Sequence, residues 1–238
     1  MSTDTIPFDV KNAFDDAAQY FPTPIQQMQF FDKYSRFNYD KQRRETWIET
    51  VDRSMDFLRK TSKNILSEDE YSRIRQAILE MQATPSMRLL AMAGPAAERD
   101  NASIYNCSYL PLDSIDSLVE ELYIAMAGTG VGYSVEKKHV DKFPIVYAHW
   151  NNNPEPIKRH IIEDSTEGWA NAFRLCLETY FAGHDIIFDY SEIRNAGTPL
   201  KIKGGRASGP KPLKGLLDFT RDIIRSRVGK KMRPIDVH

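Results

Sequence analysis

The sequence is poor in cysteine, lacks any long apolar run and carries almost no excess of one charge. Its two cysteines, Cys107 and Cys176, stand 69 positions apart, too few and too scattered for a disulfide framework or a zinc site. Free thiols in a reducing, cytoplasmic setting are therefore expected, and no bound metal. No stretch approaches the roughly 20 apolar residues that a membrane span needs. The opening MSTDTIPFDVK has neither the basic nor the apolar segment of a secretory leader. The 32 basic and 33 acidic residues leave a formal charge of -1, which gives no general pull toward nucleic acid or an anionic membrane. Any phosphate binding must then be local. Neither an internal repeat nor a low-complexity tract is present.

What is present is enough apolar residue, 41% of 238, for one large domain or two small ones with a real core. Residues 1–83 read as helices. Trp47, Ile48, Val51, Met55 and Leu58 recur at three- and four-residue steps and form an amphipathic stripe. A second helix begins at Ser67, with acids in its first turn, and runs to Met81. Thr84-Pro85 breaks the pattern, because proline disfavours the helical conformation in the residue before it. From there the texture alternates: a strand over 104–110, a helix over 114–127, a strand over 132–135, another at 185–190 and a last helix over 211–228. Strands interleaved with helices indicate an α/β domain over 84–238. Residues 144–165, with NNNPEP inside them, read as a polar, turn-rich connection.

Five features invite a chemical reading. Cys107 lies in an apparent strand between Asn106 and Ser108, where it is either a small core hydrophobe or a reactive thiol. Cys176 shares a helical face with Trp169, Phe173 and Tyr180 and reads as core. GTGVGYS at 128–134 follows a helix and precedes a strand, with G-x-G-x-G spacing. Spacing and context both fail the dinucleotide fingerprint, leaving a glycine-ended helix and a backbone open to close approach. KIKGGRASGPKPL at 201–213 joins glycines, bases and a helix start, which fits either a phosphate contact or a surface loop. Asp113 is expected to cap the helix after it; a carboxylate there could also accept a ribose hydroxyl.

ATPSMRLLAMAG, NCSYLPLDSIDSL, AGTGVGYSV, DSTEGWANAF, IFDYSEIRNAGTPLK, GGRASGPKPL and RPIDVH occur in that order, behind the helical lead-in FDKYSRFNYDKQRRETWIETVDRSMDFL. The series resembles the adenosylcobalamin-dependent, class II ribonucleotide reductases, in particular their monomeric triphosphate reductases. The resemblance implies an N-terminal helical segment, 1–83, followed over 84–238 by about half of a ten-stranded α/β reductase barrel. It implies reduction of ribonucleotides to deoxyribonucleotides by thiyl-radical chemistry, with adenosylcobalamin held mostly by a C-terminal half. Cys107 matches the strand cysteine of the reducing pair. Thr84 and Ser86 match hydroxyl residues near the substrate phosphates, Asn106 lies beside the ribose, and Gly128, Gly130 and Gly132 let backbone come close to substrate.

By the same resemblance Asp113 and Ser114 start the allosteric helix for a deoxynucleotide effector. Gly204, Gly205, Arg206, Ala207, Ser208 and Gly209 correspond to the loop relaying effector identity to the substrate base. A thioredoxin-like reductant is a further implied partner. The family's finger loop reads N-x-C-x-E; Arg174-Leu175-Cys176-Leu177-Glu178 has arginine for asparagine and a helical pattern, so it is not that loop. With the second reducing cysteine also absent, the chain is expected to need a C-terminal half for turnover. The stretch between strand and EGW is short and leaves little room for the insertion that mimics a dimer partner in some monomeric relatives. A non-catalytic deoxynucleotide-binding regulatory or assembly module is the alternative, one in which Cys107 is dispensable.

Overall fold

The computed structural model describes residues 15–150 and 157–238. They form two compact units: residues up to Tyr105 together with Lys201–Gly205, and Asn106–Leu200 together with Arg206–His238.

In the first unit residues 15–20 are helical, followed by α1, Pro24–Lys33, and a hairpin of β1, Phe37–Asn38, and β2, Arg43–Arg44. The hairpin corrects the all-helical expectation for this region. Its turn is set by Asn38, whose Oδ1 accepts from the backbone N–H groups of Asp40 and Lys41 at 2.9 and 3.0 Å. Next come α2, Trp47–Thr61, and α3, Glu68–Leu79. Both start on capping boxes, Thr46 with Glu49 and Ser67 with Glu70, which satisfy otherwise orphaned N–H groups. Helix α3 stops two residues short of Met81, which takes a positive φ of 55°. The expected stripe packs inward at Trp47, Val51 and Met55, whereas Ile48 is exposed. Trp47 anchors this core: Phe30 meets its ring edge-on at 5.6 Å, and its Nε1 donates to the Leu79 carbonyl at 3.1 Å. Two short helices close the unit, α4, Met87–Met92, and α5, Pro95–Arg99.

The second unit contains two strand–helix–strand units. The first is β3, Cys107–Pro111, then α6, Ile115–Met126, then β4, Gly130–Ser134, with β3 and β4 parallel. After a short α7, Lys137–Val140, the second is β5, Lys158–Ile161, α8, Thr166–Phe181, and β6, Ile186–Asp189, again parallel. Helices α9, Lys211–Arg225, and α10, Pro234–Val237, follow. Helix α8 packs against both α6 and α9 around Phe143, Ile162, Phe173, Leu177, Leu213 and Leu217.

Strand β3 starts at Cys107 rather than 104, because residues 101–104 wind into a 3₁₀ turn. Strand β5 lies inside the stretch read as a polar connection. A continuous half-barrel sheet is not formed: among the described residues the strands pair only in twos, as β1-β2, β3-β4 and β5-β6. Each parallel pair is packed against its own crossover helix. Among the described residues no helix is long and apolar enough to cross a membrane.

Candidate active-site face

Strands β3 and β4 run in register, Cys107 opposite Gly130 and Tyr109 opposite Gly132. Side chains alternate along a strand, so the Cys107 and Tyr109 positions share one face. Both are exposed, Tyr109 to 66%. The cysteine is thus a surface thiol, and the reading of it as a core hydrophobe fails. Asn106, just before it, is exposed, and its carbonyl accepts the Gly130 N–H at 2.9 Å.

The glycines of GTGVGYS divide by physical cause. Gly128 has φ +91° just past the end of α6, and its N–H returns to the Ala125 carbonyl at 2.9 Å. That is a helix stop requiring glycine. Gly130 and Gly132 carry no such constraint. A Cβ at Gly130 would sit 3.5 Å from the Asn106 oxygen, and one at Gly132 3.6 Å from the Ser108 oxygen, both ordinary contacts. Folding does not demand glycine at either. What bare backbone provides is an open surface beside the thiol.

Cys176 is the opposite kind of cysteine. It is fully buried in α8, with its Sγ 3.9 Å from the Leu217 carbonyl, and burial pushes its thiol well above the usual range. Arg174, two residues earlier, pairs with Asp116 on α6.

Asp113 is not the cap of α6. Ser114 is, accepting from the Ser117 N–H at 3.1 Å, while the Asp113 carboxylate takes a 2.9 Å bond from Lys142 Nζ. That ammonium holds the carboxyl below its ordinary range. Only Ser114 separates Asp113 from Ile115, the first helical residue, so serine, whose oxygen reaches forward to the N3 N–H, occupies the capping position.

Thr84 and Ser86 belong to the first unit. Thr84 is exposed, and Ser86 caps α4 by accepting from the Leu89 N–H at 3.1 Å. Around that helix stand three arginines the sequence reading missed. Arg53 holds Glu45 at 2.9 Å and the Ala93 carbonyl at 2.8 Å; Arg36 donates to the Ala91 carbonyl at 2.7 Å; Arg88 lies close enough to disfavour charge on Arg36.

The glycine-rich loop is shared between units. Gly204 and Gly205, with φ of +77° and +81°, go with the first unit, and Arg206 to Gly209 with the second. In the second, Ala207 exchanges backbone bonds with Gly197 and Thr198, each 2.8 Å, and Arg206 Nη1 donates to the Gly197 carbonyl at 2.9 Å. Ser208 is exposed, its hydroxyl 3.3 Å from the Gly209 carbonyl. Gly209, at φ +73°, abuts Ala196 so closely that a Cβ would lie 2.9 Å from that residue's nitrogen. A separate apolar pocket of about 220 Å³ lies among α6, α8, α9 and residues 232–238, lined by Leu118, Leu122, Phe173, Leu177 and Ile223. It holds none of the expected site residues, but burial in its wall raises the pKa of Glu121.

The fold is that of the class II ribonucleotide reductases. A crystal structure of a B12-dependent enzyme of that class superposes with a TM-score of 0.73 over 88% of this chain and 38% of its own, at 22% identity. In sequence the chain is homologous to proteins called adenosylcobalamin-dependent ribonucleoside-triphosphate reductases. The Euglena gracilis protein is 33% identical over 180 residues, covering 72% of this chain and 23% of its own length. The Lactobacillus helveticus protein is 26% identical over 85% of this chain and 36% of its own length. A probable Dictyostelium discoideum reductase of the same kind is 26% identical over 86% and 31%. The chain therefore spans about a quarter to a third of the relatives it matches. No family model matches it.

Proposed function

We propose that this chain supplies the reducing-thiol face of an adenosylcobalamin-dependent ribonucleoside-triphosphate reductase, an oxidoreductase making deoxyribonucleotides. One observation carries the reading: the exposed thiol of Cys107 lies opposite side-chain-free backbone at Gly130, and Gly132 repeats that bare backbone two residues along the same strand. A ribose laid on that backbone would bring its 2′-hydroxyl to the sulfur, with the Asn106 side chain available to the sugar. Cys107 gives a proton to the departing hydroxyl. The resulting thiolate and a second cysteine thiol close to a disulfide, supplying the two electrons that replace C2′–OH by C2′–H and release water. A thioredoxin-like dithiol then reopens that disulfide. Thiols that must cycle in this way fit a reducing cytoplasm.

The second thiol, the radical cysteine and the rest of a ten-stranded barrel are assigned to the length that the relatives have beyond the matched region, on this polypeptide or another. The corrinoid belongs there too, since the apolar pocket of about 220 Å³ is smaller than the roughly 300–1,000 Å³ of ordinary small-molecule sites. When bound, the cofactor supplies the radical-generating chemistry. Thr84 and Ser86 are assigned to the substrate phosphates, Asp113 and Ser114 to a deoxynucleotide effector, and Gly204 to Gly209 to the loop that reads it.

The test is deoxyribonucleotide formation from ribonucleoside triphosphates with adenosylcobalamin and a dithiol. Residues 1–238 alone should give no product, and addition of the remaining reductase length should restore it. Turnover by residues 1–238 alone would refute the division of labour. Deoxynucleotide binding with no Cys107-dependent turnover in the completed protein would favour a regulatory module instead.

A further inference from the structure

Arg36 sits where three separated pieces of the first unit meet. Its Nε donates to the Ala91 carbonyl at 2.7 Å, its Nη2 reaches Met92 Sδ at 2.9 Å, and its Nη1 donates to the Ile202 carbonyl at 3.1 Å. Ala91 and Met92 end α4, the helix capped by Ser86 two residues after Thr84. Ile202 begins the glycine-rich loop. One planar fork therefore joins the helix behind the hydroxyl pair to the loop.

The loop is built onto this fork. Gly204 holds φ +77°, and a Cβ there would lie 3.2 Å from Arg36 Nη1, so the backbone lies directly against the guanidinium. Lys201 adds a second tether, its ammonium 5.5 Å from the centre of the Tyr39 ring, which Phe37 braces edge-on at 5.0 Å. One residue on, a Cβ at Gly205 would meet nothing within 4 Å, although its φ is +81°. The loop is thus pinned through Gly204 and open at Gly205.

We propose that Arg36 is a positioning residue that couples the glycine-rich loop to the helix following Thr84 and Ser86, so that movement of the loop is felt where the substrate phosphates are held. This rests on the reading in the preceding subsection. Arg36 touches neither substrate nor cofactor; it acts through α4 and the loop. Lysine could not replace it, because a single ammonium cannot hold both carbonyls at the fork's fixed spacing.

The experiment compares wild type, Arg36→Lys, Arg36→Gln and Tyr39→Leu in the complete reductase, with thermal melting as the check on folding. Trypsin should cut at Lys201, Lys203 and Arg206 roughly tenfold faster in the Arg36 variants, with other sites unchanged, as expected for loss of a charge-assisted bond. Across the four ribonucleoside triphosphates, with and without a deoxynucleotide, the Arg36 variants should lose discrimination through KM while kcat for the best substrate stays within about threefold. Tyr39→Leu should show a weaker form of both effects. Unchanged loop cleavage overturns the anchoring. An equal fall in kcat/KM for all substrates marks a merely structural arginine and overturns the coupling. A wild-type enzyme with no nucleotide turnover overturns the preceding reading and the coupling with it, while loop cleavage still decides the anchoring.

Discussion

Cys107 and Gly130 stand opposite each other in the parallel register of β3 and β4, a thiol facing a residue with no side chain. Gly132 repeats the arrangement beside Tyr109. The face sets an exposed thiol beside backbone without side chains, whereas the chain's other cysteine, Cys176, is buried.

The two thiols should separate in a labelling experiment. In the folded protein a thiol-reactive disulfide reagent should modify Cys107 and leave Cys176 silent until denaturant is added, since only the first is exposed. Cys107→Ser should change stability by less than about 0.5 kcal/mol. Cys176→Ser buries a hydroxyl among apolar neighbours and should cost about 1–3 kcal/mol in a urea melt.

Gly130→Val and Gly132→Val should fold with small losses, because their β-carbons meet only ordinary contacts. Nucleotide affinity of the complete enzyme should nonetheless fall by tenfold or more, about 1.4 kcal/mol, as the bare backbone becomes covered. Isothermal titration with a ribonucleoside triphosphate checks this. Unaltered affinity in both variants would mean that substrate lies elsewhere.

Gly168, in the EGW motif, is the contrasting case. Helix α8 comes so close to the preceding turn that a β-carbon there would lie 2.8 Å from Glu163 Cβ and nearer still to its carbonyl oxygen. Gly168→Ala should cost about 1–3 kcal/mol, read from the urea midpoint of the complete protein. Gly205→Ala, strained in φ but unobstructed, should cost about 1–2 kcal/mol.

Acid should act on the first unit through Glu49. Its carboxylate takes bonds from Arg43 at 2.7 Å and Lys41 at 2.6 Å, and Arg43 chiefly lowers its pKa from 4.5 to about 2. A carboxyl depressed in the folded state stabilises fully above its ordinary pKa and loses that contribution as pH falls toward 2. Glu49→Gln should cost about 1–2 kcal/mol at pH 7 and almost nothing near pH 2. Melting both proteins between pH 7 and pH 2 checks it; a constant gap would contradict the assignment.

Much of the helical fold was legible because capping chemistry and apolar spacing are local. Ser67 with Glu70, the Trp47–Val51–Met55 stripe and the core role of Cys176 all follow from residues within a turn or two. Strand β5 was not legible: KRHI has no apolar alternation and is held by backbone pairing with β6, 28 positions on. The β1–β2 hairpin escaped for a similar reason, since its two-residue strands are too short to show a period. How the strand pairs would join into a larger sheet is not legible either, because sheet order depends on distant partners, which no local pattern records.

At the site, the thiol and the glycines could be picked out, but not the division of labour among them. Gly128 shapes backbone, whereas Gly130 and Gly132 keep space open. Asp113 was mistaken for a cap that Ser114 provides, a one-residue ambiguity at a helix start. Arg36 left no trace at all, because its carbonyl acceptors lie 55 and 166 positions away. A guanidinium that binds main chain has no motif.

The most direct test is deoxyribonucleotide formation by the complete reductase carrying Cys107→Ser, with assembly verified by size-exclusion chromatography. An assembled, nucleotide-binding enzyme with no sustained turnover is the expected result. Wild-type turnover by that variant would show that the sulfur at position 107 takes no part in the chemistry.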